Sequence, residues 1–330
     1  MKRYYPLIPI YLLYLVMFLI GLYGRGLWQP MALLAFYAAL GQAFNIFLGM
    51  TGYVDFGYVA FLGLGSYGMA WAVSGLYQVG WLSGGGLIIT GLLLGLLMSA
   101  LLSTAVGGIA LRLRGAYFAI ATIGVSEGCK YLVTGARLWG GSEGIIISRN
   151  LREAFGVSAA NRLATFWADT MLFIIAALAA FVTLRYMQGK IGYALTALRE
   201  DEDAAKVMGV NTTKYKVIAF ITSAMFAGLI GAAGWALKMT YVFPEDVFQI
   251  TYTVEAIVIV LLGGVGTLLG PLVGGVIYGI LKYWLAVLIP GLQLLIFAPI
   301  IIIIIVALPQ GIIGVLKERV KGTVMERFVV

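Results

Sequence analysis

Long apolar runs separated by short polar segments dominate this chain. A bilayer core is crossed by about 20 consecutive apolar residues in a helix. The pattern therefore predicts an all-α, polytopic membrane protein with about ten transmembrane helices, and a count of nine or eleven is compatible with it. The ten segments are 4–24, 28–50, 57–79, 86–111, 116–135, 166–188, 215–238, 250–265, 270–289 and 292–308, of which the fifth and the eighth are marginal in length or polarity.

Composition excludes a soluble domain. Hydrophobic residues make up 62% and charged residues 11% of the 330 residues, whereas an average soluble domain is about half apolar and about a quarter charged. The 44 glycines suit transmembrane helices that pack closely. The first apolar stretch follows Lys2 and Arg3, as in a signal peptide, but it has no obvious cleavage site, and we expect an uncleaved first span.

The basic residues predict an orientation. With a cytoplasmic N-terminus, the cytoplasmic segments carry 14 Lys and Arg, the outer segments carry six, and Lys130 and Lys282 lie within spans. An excess of Lys and Arg marks the cytoplasmic side, so both termini and the tail 309–330 are expected there. The same count makes 190–214 a cytosolic segment and 136–165 the longest outer loop. This bias explains the net charge of +8, so the charge does not indicate nucleic-acid binding.

The cytosolic segment concentrates charge, because Arg199–Lys216 holds eight of the 36 charged residues. Good helix formers fill its first part, and Gly209 after Lys206 is typical of a helix C-terminus. We expect one short helix here, followed by an N-cap for the next span at Asn211, Thr212 or Thr213. The residues that step along one face by three and four are Leu195, Leu198, Glu202, Ala205 and Met208.

Two interpretations of this helix remain open from its pattern: a solvated loop helix, or a docking element for a cytosolic partner. The chain contains no G-x-x-x-x-G-K-[ST] motif for a nucleotide. The G-x-G-x-x-G match at Gly63–Gly68 lies inside an apolar span, where glycines form a packing face. A series of partnered intramembrane carboxylates, as in a proton pump, is also lacking. Energy for transport is therefore expected from another subunit, which favours docking.

Several motifs together resemble the permease subunits of ABC importers for branched-chain amino acids, of the LivM type. The closest matches are "ALREDEDAAKVMGVNTTKYKVIAF" (Ala197–Phe220), similar to the family's coupling segment, and "VEAIVIVLLGGVGTLLGPLVGG" (Val254–Gly275). "RLRGAYFAIATIGVSE" (Arg112–Glu127) and "WGGSEGI" (Trp139–Ile145) are also similar to family segments. The chain departs from the family at "DFGY" (Asp55–Tyr58) and at Leu138-Trp139, and these changes leave the substrate open.

The resemblance implies a multi-pass subunit of a prokaryotic plasma (inner) membrane importer. Its implied partners are a sister permease, two cytosolic ABC ATPases that use ATP and Mg, and an extracytoplasmic substrate-binding protein. Branched-chain or related apolar amino acids are the implied substrates, with urea or a short amide as the alternative and a self-sufficient secondary transporter or channel as a second class. The implied ATPase-coupling residues are Arg199, Glu200, Asp201, Glu202, Ala204, Ala205, Met208 and Gly209.

Two glycine-rich segments, Leu48–Tyr58 and Gly263–Gly275, are expected to break their helices near the central pathway. A broken helix exposes backbone groups, which is tolerable only against protein or a water-filled path. Gln42 and Asn45, and likewise Glu255, either hold helices together or line the pathway, and the structural alternative is preferred for each. The candidate pathway residues are Gln42, Asn45, Asp55, Tyr58, Glu255, Gly263, Gly264 and Gly266.

Two other intramembrane charges receive structural interpretations. An intramembrane charge costs about 2.5–3.5 kcal/mol on insertion scales. Glu127 and Lys130 are three residues apart on one helix and are expected to neutralise each other, while Lys282 is expected to reach the membrane surface. With no histidine and only Cys129, a His-ligated metal, a His-based triad and an intrachain disulfide are excluded, and we expect no catalytic residue, metal or cofactor in this chain.

Overall fold

The computed structural model describes residues 4–80, 84–135, 138–288, 298–299, 302–303, 306–308 and 310–320. Within these ranges, seven helices are long and apolar enough to cross a membrane. They correspond to predicted segments two to four and six to nine, which confirms the all-α, polytopic architecture. The seven are Trp28–Thr51, Tyr58–Leu76, Gly85–Ala110, Val157–Met187, Thr212–Leu237, Pro244–Gly263 and Gly270–Leu288.

The remaining predicted segments have different outcomes. The first corresponds to a shorter apolar helix of 17 residues, and the fifth to a 20-residue helix with Glu127 and Lys130 inside it. Most of the tenth segment, 292–308, lies outside the described residues, as do residues 321–330 of the predicted tail.

The helices and strands follow in this order along the chain. The first half contains α1 (Leu7–Tyr23), α2 (Trp28–Asn45), α3 (Leu48–Thr51), α4 (Tyr58–Trp71), α5 (Gly85–Ala110), α6 (Ala116–Gly135), β1 (Ile145–Ile146), α7 (Ser148–Phe155) and α8 (Val157–Arg162). The second half contains α9 (Ala168–Met187), α10 (Lys190–Glu200), α11 (Glu202–Val207), α12 (Thr212–Ile230), β2 (Tyr241–Val242), α13 (Pro244–Val247), α14 (Thr251–Gly263), α15 (Gly270–Leu288) and α16 (Gly311–Val320).

The chain divides into two compact units. The first unit comprises Met1–Gly52, Ala176–Val210 and Glu255–Val330. In it, α15 packs along α2, and α10 packs on α3. A small core forms around Tyr37, Ile259, Leu262 and Tyr278.

The second unit comprises Tyr53–Ile175 and Asn211–Val254, with α4, α5 and α12 packed on one another. Glycine is required where their backbones meet, since a Cβ on Gly65 would overlap the Gly228 carbonyl group. α4 and α12 each continue into a π-helical turn, Ala72–Leu76 and Gly231–Leu237. This packing places the buried aromatic residues Tyr67 and Phe248 in a hydrophobic core cluster of the unit.

The predicted outer loop, 136–165, is largely structured where it is described. β1 pairs with β2 in an antiparallel ribbon, with Ile145 opposite Val242. α8 continues through the π-helical turn Leu163–Trp167 into α9, and together they make the 31-residue helix Val157–Met187. The sixth span therefore begins nine residues earlier than the apolar pattern predicted, because the polar first turns continue the same helix.

Candidate functional site

Two broken segments cross in the first unit, where α2 ends and where α14 gives way to α15. The Gln42 side chain donates to the Leu268 carbonyl at 3.2 Å, and the Asn45 amide donates to the Thr267 carbonyl at 3.0 Å. Asn45 Oδ1 in turn accepts from the Gly266 backbone N–H at 3.0 Å. These bonds satisfy backbone groups that the helix break leaves free. Both amides therefore hold the end of α2 against the turn before α15, which supports the structural interpretation.

Glycines make this crossing possible. Gly264 and Gly266 have φ values of +125° and +75°, and Gly52 at the end of α3 has +75°. Residues with a Cβ rarely adopt such values. A Cβ on Gly266 would lie 2.6 Å from the Gly49 carbonyl oxygen, and one on Gly263 would overlap the Gly270 backbone. The two predicted breaks thus meet at backbone contact distance within this unit.

Arg199 reaches the same crossing from α10. Its Nη1 donates to the Gly49 carbonyl oxygen at 2.7 Å, and a Cβ on Gly266 would overlap that nitrogen. The resemblance implied a contact between Arg199 and an ATPase. In this structure one N–H group of its guanidinium is bonded inside the chain, while the residue as a whole is exposed.

The charged segment is two helices, so the expectation of a single helix is wrong. Asp201 has an extended backbone (φ −155°, ψ 111°) between α10 and α11. Its carboxylate accepts from the N–H groups of Asp203 and Ala204 at 2.9 and 3.0 Å and thereby caps α11. This N-cap bond satisfies donors that a continuous helix would have used internally.

The predicted ends of this segment are confirmed. Gly209 has φ +83°, and its N–H bonds to the Lys206 carbonyl while the Val210 N–H bonds to Ala205. This pair of bonds is a Schellman motif. The Asn211 side chain accepts from the Lys214 N–H at 3.0 Å, so it caps α12 as expected.

The predicted face of the segment is only partly buried. Leu195, Leu198 and Ala205 are buried, but the Met208 side chain is 83% exposed. Its neighbour Val207 is 87% exposed, because α11 starts a new helix and presents a different face. Glu202 pairs with Lys206 at 2.9 Å along α11. The tip of the segment therefore combines two exposed apolar side chains with an acidic first turn.

Glu255 forms an ion pair with Lys282 across α14 and α15. The Lys282 ammonium also lies 5.2 Å from the centre of the Tyr37 ring. The expectation that Lys282 extends to the membrane surface is therefore wrong, because a carboxylate on the neighbouring helix holds it. A buried carboxylate needs such a partner, and the pair supports a structural role for Glu255.

Lys130 also has a different partner from the one expected. Its ammonium lies 2.6 Å from the Glu245 carboxylate in α13, so the salt bridge runs to another helix rather than to Glu127. Glu245 is far away in sequence, and the i, i+3 spacing on α6 could not reveal it. This bridge lies within the second unit.

Asp55 and Tyr58 also belong to the second unit, apart from the other six pathway candidates. Asp55 is 2% exposed and accepts from the Gly57 N–H at 2.8 Å, which shapes the turn into α4. The Phe56 N–H donates to the Thr122 hydroxyl at 3.1 Å. Tyr58 is buried at the first position of α4.

Two further charged sites escaped the sequence reasoning. Lys216, counted among the cytoplasmic charges, is 1% exposed, donates to the Leu111 carbonyl at 3.2 Å and lies over the Tyr53 ring. The fully buried Asp169 pairs with Lys238 at 2.5 Å. The sequence offered one signal for each site. Lys216 lies at the start of the predicted apolar segment 215–238, and Asp169 lies near the start of the segment 166–188.

Comparisons with known proteins agree with this architecture. The model of the branched-chain amino acid transport system / permease component family matches residues 29–306. The chain is 28% identical to the high-affinity branched-chain amino acid transport permease LivM of Salmonella typhimurium over 90% of this chain and 72% of that protein. It is 24% identical to LivH of Escherichia coli, over 84% of this chain and 91% of LivH. No solved structure matches it significantly.

Proposed function

The chain belongs to the family of permease components of branched-chain amino acid transport systems, and from that premise we propose that it is the membrane-spanning subunit of an ATP-driven importer. Its substrates are branched-chain or related apolar amino acids, delivered by a soluble binding protein. Similarity to both LivM and LivH supports a partnership with a sister permease. ATP and Mg are used by separate ATPase subunits.

The tip of α11 is the observation that carries this proposal. Val207 is the last residue of α11, a helix of six residues that is capped at both ends, and Met208 follows it directly; both are almost fully exposed. Exposed apolar side chains on a rigid, otherwise polar element are typical of a contact with another protein. We assign this contact to an ATPase on the cytoplasmic side of the inner membrane, and from the excess of basic residues we propose that both termini lie on the same side.

Reversing the charge of Glu200–Asp203 with lysines, or introducing Gly209→Asp, tests the docking. Each change is expected to abolish substrate uptake while the subunit remains in the membrane. Coupled ATP hydrolysis falls in both variants, whereas the binding protein still delivers substrate. Wild-type uptake in either variant contradicts the docking proposal.

A matched pair of valines separates docking from general damage. Val207→Asp places a charge on the α11 tip, and Val157→Asp places the same charge on another exposed valine, at the start of α8. Only Val207→Asp is expected to prevent co-purification of the ATPase with the permease. Equal losses in the two variants would show that the α11 tip has no special role.

Transport by the isolated chain tests the class of protein. Liposomes that contain this chain alone are expected to show no amino acid flux, with or without an ion gradient. Flux under those conditions would favour a self-sufficient transporter. A ligand-binding assay on the partner binding protein then identifies the amino acid.

A further inference from the structure

The contact between Arg199 and the crossing links the charged segment to both broken segments. Gly49 lies in the last turn of α3, where carbonyl groups lack donors within the helix. The Arg199 guanidinium supplies one donor to the Gly49 carbonyl at 2.7 Å. A cation at a helix C-terminus is favourable, and a hydrogen bond from a charged donor is stronger than a neutral one.

The contact also involves the second broken segment. Gly266 leaves room for the guanidinium because it has no side chain there. The Gly266 N–H is held by Asn45 at the end of α2. Arg199 therefore touches a place where α3, the end of α2 and the turn before α15 come together.

We propose that Arg199 is a positioning residue that transmits movement of α10 to this crossing. The reason is mechanical: α10 packs on α3, and the charged hydrogen bond from Arg199 ties α10 to the Gly49 carbonyl. The role as a transmitter depends on the proposed importer function, whereas the contact itself lies within this chain. Arg199 acts through backbone groups and touches neither substrate nor nucleotide.

The contact is tested first on the purified full-length chain by hydrogen exchange. Arg199→Gln is expected to speed exchange of the backbone amides in 46–52 and 264–270 by about tenfold, because the crossing loses a charged hydrogen bond. Arg185→Gln is the matched control, since Arg185 bonds to the Tyr4 hydroxyl at 3.2 Å in the same unit. Equal exchange in Arg199→Gln and wild type overturns the proposal.

The transmission of movement from α10 to the crossing is tested on the assembled transporter. The measured quantity is the number of substrate molecules imported per ATP hydrolysed. Arg199→Gln is expected to keep co-purification of the ATPase and to lower this ratio at least about fivefold, through loss of the charged hydrogen bond. Arg185→Gln keeps the wild-type ratio. A purely structural role would reduce the amount of transporter but leave the ratio unchanged.

The outcomes separate the two proposals. An unchanged ratio in Arg199→Gln, or loss of ATPase co-purification in that variant, overturns the role of Arg199 as a transmitter. If the wild-type chain itself fails to associate with an ATPase, the importer proposal fails, and transmission fails with it. A lowered ratio with intact assembly supports both.

Discussion

The ion pair between Glu255 and Lys282 yields a prediction that also decides the role of Glu255. Lys282→Met leaves a carboxylate that is 3% exposed without its cation. Removing one partner of a buried pair costs about 3–5 kcal/mol, and insertion scales give about 3 kcal/mol for a charge in the membrane. We expect Lys282→Met to lower the free energy of unfolding by about 3 kcal/mol.

The opposite variant is milder. In Glu255→Gln, the remaining Lys282 side chain is 39% exposed in the structure, and once released from Glu255 its long stem can turn the ammonium toward polar surroundings, so the expected loss is only about 1 kcal/mol. The double variant leaves no charge, and its stability is expected within about 1 kcal/mol of the wild type. The order of stability is therefore double variant, then Glu255→Gln, then Lys282→Met.

The assay is the equilibrium unfolding of the full-length chain in bicelles, followed by circular dichroism as a denaturing detergent is added. Substrate uptake by the assembled transporter is measured on the same variants. If the double variant is stable and transports, Glu255 is structural; if it is stable and inactive, Glu255 lines the pathway. Wild-type stability of Lys282→Met, or a double variant as unstable as Lys282→Met, would refute the reasoning.

Three other substitutions test local features of the structure. Gly65→Ala is expected to cost about 1–3 kcal/mol in the same unfolding assay, because the new methyl group overlaps the Gly228 backbone, and full stability would contradict the close packing. Gly209→Ala requires a left-handed alanine and is expected to cost about 1 kcal/mol, seen as faster hydrogen exchange in α11; wild-type exchange would exclude the Schellman motif. Lys216→Met removes a buried hydrogen bond and is expected to lower the free energy of unfolding by about 1–3 kcal/mol. Its control, Lys214→Met, changes an exposed lysine in the same turn and is expected to have no effect. Equal effects of the two substitutions would show that Lys216 is not buried.

Local chemistry made part of the structure predictable. The apolar runs gave the helices, because a bilayer imposes their length. Gly209 and Asn211 revealed the ends of α11 and the start of α12, since caps depend on neighbouring residues alone. The break at Asp201 carried a signal as well, an N-cap residue before two acidic positions, but strong helix formers on both sides obscured it.

The salt-bridge partners of the intramembrane lysines could not be predicted from the sequence in the same way. Lys130 had a carboxylate three residues away, yet its bridge runs to Glu245. Lys282 had no acidic neighbour in sequence and pairs with Glu255 on another helix. Such contacts depend on how helices pack, which local spacing does not determine. The sequence predicted a break in each of the two glycine-rich segments, but it did not predict that the two breaks contact each other.

The continuous helix Val157–Met187 has a consequence for its place in the bilayer. Its 31 residues measure about 46 Å at 1.5 Å per residue, whereas the hydrocarbon layer is about 30 Å thick. A tilt of about 20° accommodates only a few ångströms of the excess. Two or three turns therefore stand in the headgroup region or beyond it. The helix ends at Met187, three residues before α10 begins, so the charged segment starts directly at the end of this long helix.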